Sequence, residues 1–231
     1  MRQLVGPGTA LLRRLREPAP PQPERCEFCD VRLPGEHRHL ADRDERSLVC
    51  VCTACALLLR QPGAAEGRYR GLSERYLADP EHRLTEQDWQ ALRIPVSCAF
   101  LFKDTALDRL VTLYPSPAGA AESELDEAAS RALLDGSRLA AELVPDTEAL
   151  LLRRTADGIH CYLVPIDVCY ELVGRLRLCW HGFDGGSQAR AELDGFFARL
   201  AERTSASVSA AASVSAAAAS SAASVSAEAL S

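Results

Sequence analysis

The chain has 231 residues, of which 47% are hydrophobic and 25% are charged, and its formal net charge is −6. This composition supports a folded core and excludes a wholly disordered chain. It contains no run of about 18 apolar residues, which excludes a membrane-spanning helix, and its acidic balance gives no electrostatic footprint for nucleic acid.

Residues 1–24 are predicted to be a flexible N-terminal segment, because a short apolar stretch is followed by a proline-rich linker. The apolar core of an export signal is missing from this segment. The nine cysteines are an odd number, and five of them fall within residues 26–55. That distribution favours reduced thiols and one metal site over a secreted disulfide framework, so we expect a cytoplasmic protein.

Residues 25–62 contain the strongest chemical signal in the chain, two Cys-x-x-Cys pairs. The pairs are Cys26 with Cys29 and Cys52 with Cys55, and four thiolates at such a spacing typically form a closed tetrahedral zinc site. A hairpin is expected between the pairs, and the second pair is expected on one face of a short helix. We therefore predict a treble-clef-like module in which Zn²⁺, or less expectedly iron, replaces a core that so few residues cannot build.

Three more residues of this module are candidate metal ligands. Cys50 lies two positions before Cys52 and could compete with it, whereas His37 or His39 could replace a sulfur or hydrogen-bond to a thiolate. The alternative is that Cys50 is a buried strand residue and that both histidines occupy one exposed face of the hairpin.

Residues 72–203 are predicted to form an α+β domain, in which helices pack on an antiparallel sheet. The Pro115–Gly119 segment is expected to end the second strand and to lead into a helix. The expected elements are, in chain order, a helix capped by Thr85, strands Val96–Phe102 and Leu107–Tyr114, a helix capped by residues 123–126, strands Thr147–Arg154 and Ile159–Ile166, a helix from Val168 capped by Asp167, and a helix Gln188–Arg203.

The glycine-rich loop 180–186 is unusual because it contains two large aromatic residues. Trp180, Phe183 and Asp184 either pack inward or offer a contact to a partner. Residues 204–231 form an Ala/Ser-rich tail that is predicted to be disordered, with a helix ordered by self-association or by a partner as the alternative.

Several motifs occur together in one order, and the combination resembles a family of unknown function from actinobacteria and related bacteria. The resemblance covers about residues 24–203. The motifs that carry it are Cys26–Cys29, Glu36–Leu40, Cys50–Cys55, Tyr114–Gly119, Tyr162–Asp167, Cys169–Gly174 and Trp180–Gly186. Members of that family are often encoded beside NiFe uptake hydrogenase subunits and their maturation genes. The resemblance implies a role in hydrogenase maturation, assembly or electron-transfer coupling, and it provides no catalytic residue.

We therefore expect a non-enzymatic, zinc-stabilised accessory protein whose partners are hydrogenase subunits or maturation factors. One alternative is a regulator that binds nucleic acid through arginines of the zinc module, although acidic residues stand between them. Another is a thiol-dependent metal donor or enzyme that uses Cys50 or Cys169. The arginines concerned are Arg38, Arg43, Arg46 and Arg60.

Overall fold

The computed structural model describes residues 23–61, 63–124, 127–182 and 185–204, which form two antiparallel sheets packed with helices. The predicted α+β class is confirmed. Most of the predicted N-terminal segment and nearly all of the tail lie outside the described residues. Within the described ranges, no helix is long and apolar enough to cross a membrane.

The smaller sheet belongs to the cysteine module and has three strands in the order β2-β1-β3. Its strands are β1 (Arg38–Asp42), β2 (Ser47–Val51) and β3 (Tyr69–Gly71). The predicted hairpin is β1 with β2. The strand β3 was not predicted. It lies in the connector after residue 62, so the sheet of the module extends beyond the predicted module boundary.

The larger sheet has six strands in the order β4-β9-β8-β5-β6-β7. The strands are β4 (Leu77–Ala78), β5 (Cys98–Asp104), β6 (Arg109–Ser116), β7 (Gly119–Ser123), β8 (Glu148–Thr155) and β9 (Gly158–Pro165). The helices are α1 (Thr53–Leu59), α2 (Glu86–Ala91), α3 (Glu127–Gly136), α4 (Arg138–Glu142), α5 (Ile166–Cys179) and α6 (186–204), with a 3₁₀ turn at Ala64–Gly67.

Helices cover both faces of the larger sheet, because its central strands carry apolar residues on both sides. In β5, Phe100 and Phe102 join one core with α5 and α6, whereas Ala99 and Leu101 join a second core with residues from α2 to α4. Alternate strand residues point to opposite faces. The continuous apolar run in β5 therefore reflects a strand buried on both sides.

The helix predicted to start at Thr85 is confirmed, and so is its capping box. The Thr85 side chain accepts a hydrogen bond from the Asp88 amide at 3.3 Å, and the Thr85 amide donates to the Asp88 carboxylate at 2.7 Å. These reciprocal bonds satisfy two amides that a helix start leaves without intrahelical partners.

The prediction for Pro115–Gly119 is wrong, because this segment is the turn of a hairpin. Pro115 lies within β6 and pairs with Ala120 of β7. Proline is tolerated in a strand that has a neighbour on one side only, and the pairing of β6 with β5 ends at Leu113, before Pro115. Ser123 belongs to β7, and its hydroxyl donates to the carbonyl of Leu92 at 2.5 Å; residues 125–126 of the predicted cap lie outside the described ranges.

The prediction that Asp167 caps α5 is also wrong, by two positions. The N-cap is Pro165, and α5 begins at Ile166. Asp167 lies in the first turn, where a carboxylate still suits the positive end of the helix dipole. Its side chain instead accepts a hydrogen bond from His39 of the cysteine module at 3.0 Å.

The cysteine module contacts the larger domain through the β1–β2 hairpin. Arg46 forms an ion pair with Asp104 at 2.7 Å, and Arg43 donates to the hydroxyl of Thr105 at 3.3 Å. Leu48 of β2 packs against the core beneath α5 and α6. Charged and apolar contacts together hold the hairpin against the β5–β6 turn and the core of the larger domain.

One fully buried carboxylate, Glu148, depends on a single arginine. Arg75 donates to both of its carboxylate oxygens at 2.9 and 2.8 Å, and the Val144 amide adds a bond of 2.9 Å. Burial raises the pKa of Glu148, but the bonds from Arg75, Ser73 and Val144 outweigh it and lower that pKa below its ordinary value.

We expect Arg75→Met to lower the free energy of unfolding by about 3–5 kcal/mol, because it leaves a buried carboxylate without its partner. Urea unfolding at neutral pH measures the change. The matched control is Arg109→Met, which breaks the ion pair with Glu122 between two exposed side chains; it should cost less than about 1 kcal/mol. Equal effects of the two variants would contradict this role of Arg75.

The cost of Arg75→Met should shrink as the pH falls. In the parent the folded-state pKa of Glu148 is lowered, so its stabilisation is present above the ordinary carboxyl range and is lost as the pH falls. Without Arg75, desolvation raises that pKa, and protonation relieves the variant. Unfolding at neutral pH and near pH 4 should therefore give a smaller difference at the lower pH; a constant difference would contradict the argument.

Candidate metal centre

The first cysteine pair lies in a tight turn that bends both side chains toward one point. The Cys26 amide donates to the Val31 carbonyl at 2.9 Å, and the Asp30 amide donates to the Cys26 carbonyl at 2.8 Å. Asp30 adopts a left-handed conformation with φ of 57°, which aspartate tolerates better than most residues. The turn is joined to β2 because the Glu27 amide donates to the Cys50 carbonyl at 3.0 Å.

The second pair lies where β2 ends and α1 begins. Cys52 is the N-cap of α1, and its sulfur accepts a hydrogen bond from the Cys55 amide at 3.4 Å. The cap position places the two sulfurs on the same end of the helix, as the spacing predicted. The capping bond also shows that the Cys52 sulfur is turned toward the start of α1 rather than away from it.

The four sulfurs of Cys26, Cys29, Cys52 and Cys55 lie within 4.8 Å of one another. The sulfurs of Cys29 and Cys52 are 3.7 Å apart. A tetrahedral ion with metal–sulfur bonds of about 2.3 Å needs sulfurs about 3.8 Å apart. The donor set therefore fits one four-coordinate metal ion, and soft sulfur ligands suit zinc or iron.

The electrostatics of the cluster favour a cation. Burial raises the pKa of Cys26, but amide hydrogen bonds from Cys52, Phe28 and Cys29 together lower it to about 6. The pKa of Cys55 is raised to about 12, first by its hydrogen bond with Cys52 and then by burial. One thiolate forms readily, whereas a further negative charge beside it needs a compensating positive ion.

His37, His39 and Cys50 form a second group, in which one ligand atom of each lies within 4.8 Å of the others. Cys50 is half-buried in β2, directly opposite His39 of β1. The sequence pattern indicates these residues as competitors or neighbours of the four sulfurs, and Cys50 also as a reactive thiol, but it does not predict a group formed by all three. It also missed Asp167, which bonds to His39 from 128 positions away, and no local signal connects the two.

Trp180 packs inward against the core of α5 and α6. Its indole N–H donates to the Gly182 carbonyl at 3.0 Å. Gly185 has φ of 85°, and a Cβ there would lie 3.0 Å from that of Ala189 and 3.5 Å from the Trp180 ring, so the corner requires a glycine. The other two candidates of this loop, Phe183 and Asp184, lie outside the described residues.

Two buried cysteines of the larger domain, Cys161 and Cys169, are poor nucleophiles. Cys169 is fully buried and burial raises its pKa well above the ordinary value, while burial raises that of Cys161 to about 11. His160 is exposed, with its ring beside the Thr155 hydroxyl at 3.2 Å, whereas its neighbour Cys161 faces the core. These contacts place no base beside a reactive thiolate.

Of the four arginines named above as candidates for nucleic-acid binding, three form ion pairs with carboxylates of the chain. Arg38 pairs with Glu74 at 3.2 Å, Arg46 with Asp104 at 2.7 Å and Arg43 with Asp146 at 3.5 Å. The fourth, Arg60, lies against Gly71. Carboxylates beside these arginines reduce the positive potential that binding to phosphates requires.

A family model described as "Family of unknown function (DUF5947)" matches residues 25–204, and the chain belongs to this family. The match begins next to the first cysteine pair and ends where α6 ends, so it includes both sheets. No curated protein and no solved structure matches the chain. The predicted membership of a family of unknown function is therefore confirmed. The family description does not name an activity.

We expect Cys52→Ser to remove the bound metal and to unfold the module locally, because a structural metal ion supplies folding free energy of roughly 10 kcal/mol or more. Metal analysis of purified protein and hydrogen exchange of β1 and β2 measure both effects. The control is Cys179→Ser, whose sulfur donates to two backbone carbonyls of its own helix. A Cys52→Ser variant that kept its metal and its protected amides would overturn the assignment.

Proposed function

We propose that this protein is a non-enzymatic, zinc-stabilised accessory protein that binds a protein partner. The observation that carries the proposal is a set of large apolar side chains exposed on the two segments that hold the cysteine pairs. The four sulfurs support a structural role for their metal, because four protein ligands leave no open coordination position for a substrate.

Zinc is the proposed ion, since a closed site of four thiolates suits it and needs no redox chemistry. A knuckle, a hairpin and a helix follow one another, with the second ligand pair at the start of the helix. This order supports a treble-clef-like module. All nine cysteines are free of disulfides, which supports a cytoplasmic location.

The exposed apolar residues lie beside the metal ligands in sequence. Phe28, between the first two cysteines, is 41% exposed, and Val31 is 49% exposed. On α1, Leu57 and Leu58 are 57% and 68% exposed. Apolar side chains concentrated on a small module are typical of protein interaction sites, and a metal-held module presents them at low entropic cost.

The proposed partners are hydrogenase subunits or maturation factors. Support for this choice comes from the motifs that resemble a family encoded beside such genes. The proposed role is assembly or maturation, in which the accessory protein binds a subunit through the apolar surface of the zinc module.

An affinity pull-down from the native host, at chromosomal expression level and read by mass spectrometry, tests the proposal. Leu57→Asp with Leu58→Asp should reduce recovery of the partner at least about tenfold, because a buried charge replaces apolar contact at the interface. The control is Leu178→Asp on α5, whose parent residue is 89% exposed.

Zinc content should be unchanged in both variants, which separates loss of the surface from loss of the fold. Recovery of hydrogenase subunits or maturation factors with the control variant, but not with the α1 variant, is the expected result. An eluate that contains only the bait, or the same proteins with both variants, would contradict the proposal.

A further inference from the structure

A second cluster of metal-ligating side chains lies on the β1–β2 hairpin, and none of its members belongs to the four-sulfur site. His39 and Cys50 are opposite one another in the antiparallel register, so their side chains project from the same face. His37 precedes His39 by two positions and contacts it, with ring centroids 4.7 Å apart. One ligand atom of each of the three residues lies within 4.8 Å of the others.

Asp167 fixes the orientation of His39. Its carboxylate lies 3.0 Å from His39 Nδ1, so Nδ1 carries the proton and donates it. The lone pair of the ring is then on Nε2, which is free to bind a metal. A carboxylate behind a histidine is the usual way in which proteins hold a metal-binding imidazole in place.

His37 provides the second observation. Its side chain is only 6% exposed, and its Nδ1 lies 3.1 Å from the Pro34 carbonyl, to which it donates. Glu24 also faces Nδ1, at 3.4 Å. The other nitrogen, Nε2, is buried and has no hydrogen-bond partner among the described residues. A buried polar atom without a partner is costly, and a metal ion bound to this lone pair would remove that cost.

The three residues lie at the boundary between the cysteine module and the larger domain. Two adjoining grooves there have volumes of about 780 and 1010 Å³. Both are lined by His37, His39 and Asp167, together with Tyr76 of the larger domain, and Cys50 lines the larger groove. A metal ion bound at this boundary would be accessible from the larger groove.

One thiolate and two imidazoles form a donor set that suits zinc, and three protein ligands leave one of its four positions vacant. We propose that His37, His39 and Cys50 bind a second zinc ion, whose fourth coordination position is open to the groove. This ion is distinct from the structural ion of the four sulfurs, and the inference does not depend on the partner named above.

Metal stoichiometry of the full chain tests this inference. After reconstitution with Zn²⁺ and removal of free metal, the parent should hold about two zinc ions per chain. Cys50→Ser and His37→Asn should each hold about one. The matched controls are Cys179→Ser and His181→Asn, which should hold two; the His181 ring is exposed and bonds to a backbone carbonyl. One zinc ion in the parent would overturn the inference.

Cobalt substitution shows which site each variant loses. The first equivalent of Co²⁺ should give the absorption of a four-thiolate site in the parent and in Cys50→Ser alike. The second equivalent should add a weaker sulfur charge-transfer band in the parent only. If Cys50→Ser alters the first spectrum, Cys50 belongs to the four-sulfur site and the inference is wrong.

Asp167→Asn provides a milder variant in case the ligand variants fold poorly. It leaves all three ligands in place but weakens the hydrogen bond that orients His39. The zinc affinity of the second site alone should therefore fall about 10–100-fold. Added imidazole should change the spectrum of the second cobalt ion and not that of the first. Unchanged affinity in Asp167→Asn, or no response to imidazole, would contradict the geometry proposed here.

Discussion

The antiparallel register of β1 with β2 determines where the chemically active side chains of the cysteine module lie. Leu40 is paired with Val49 on the buried face, at 1% and 8% exposure, while His39 and Cys50 share the opposite face. A shift by one residue would bring the polar pair into the core. Burial of this face therefore fixes the register. The register in turn determines where β2 ends, and so where the second cysteine pair lies at the start of α1.

Aspartates in the turns connect these local structures to their surroundings. In the β1–β2 turn, Asp42 accepts two backbone amides through one oxygen and binds Arg68 through both oxygens. In the β5–β6 turn, Asp104 also accepts two amides, and it binds Arg46 of the module. Each carboxylate therefore shapes its own hairpin and fixes a neighbouring element. These bonds to amides and arginines explain why nearly buried aspartates occur in hairpin turns, which are usually exposed to solvent.

The features that sequence analysis predicted correctly have local causes. The capping box at Thr85, the strands predicted at Thr147–Arg154 and Ile159–Ile166, and the convergence of the cysteine pairs each depend on residues that are close together in the chain or on a well-defined ligand spacing. The strand β7 escaped prediction because Gly-Ala-Ala-Glu-Ser has low strand propensity, and pairing with β6 overrides it. The bond from His39 to Asp167 spans 128 positions, and one sequence contains no signal for a contact of that kind.

The two metal groups differ in what they can do, and the hairpin makes one depend on the other. Four sulfurs would saturate a tetrahedral ion, so an ion bound there would act on the fold alone. Cys50 and Cys52 are separated only by Val51, which is fully buried, so an ion that holds Cys52 also holds the end of β2 where Cys50 faces His39. The reverse dependence is weak, because Asp167 and the core contacts of Leu48 position the hairpin from the larger domain. Folding around the four sulfurs would thus preorganise the proposed second site, because the same hairpin positions Cys50 opposite His39.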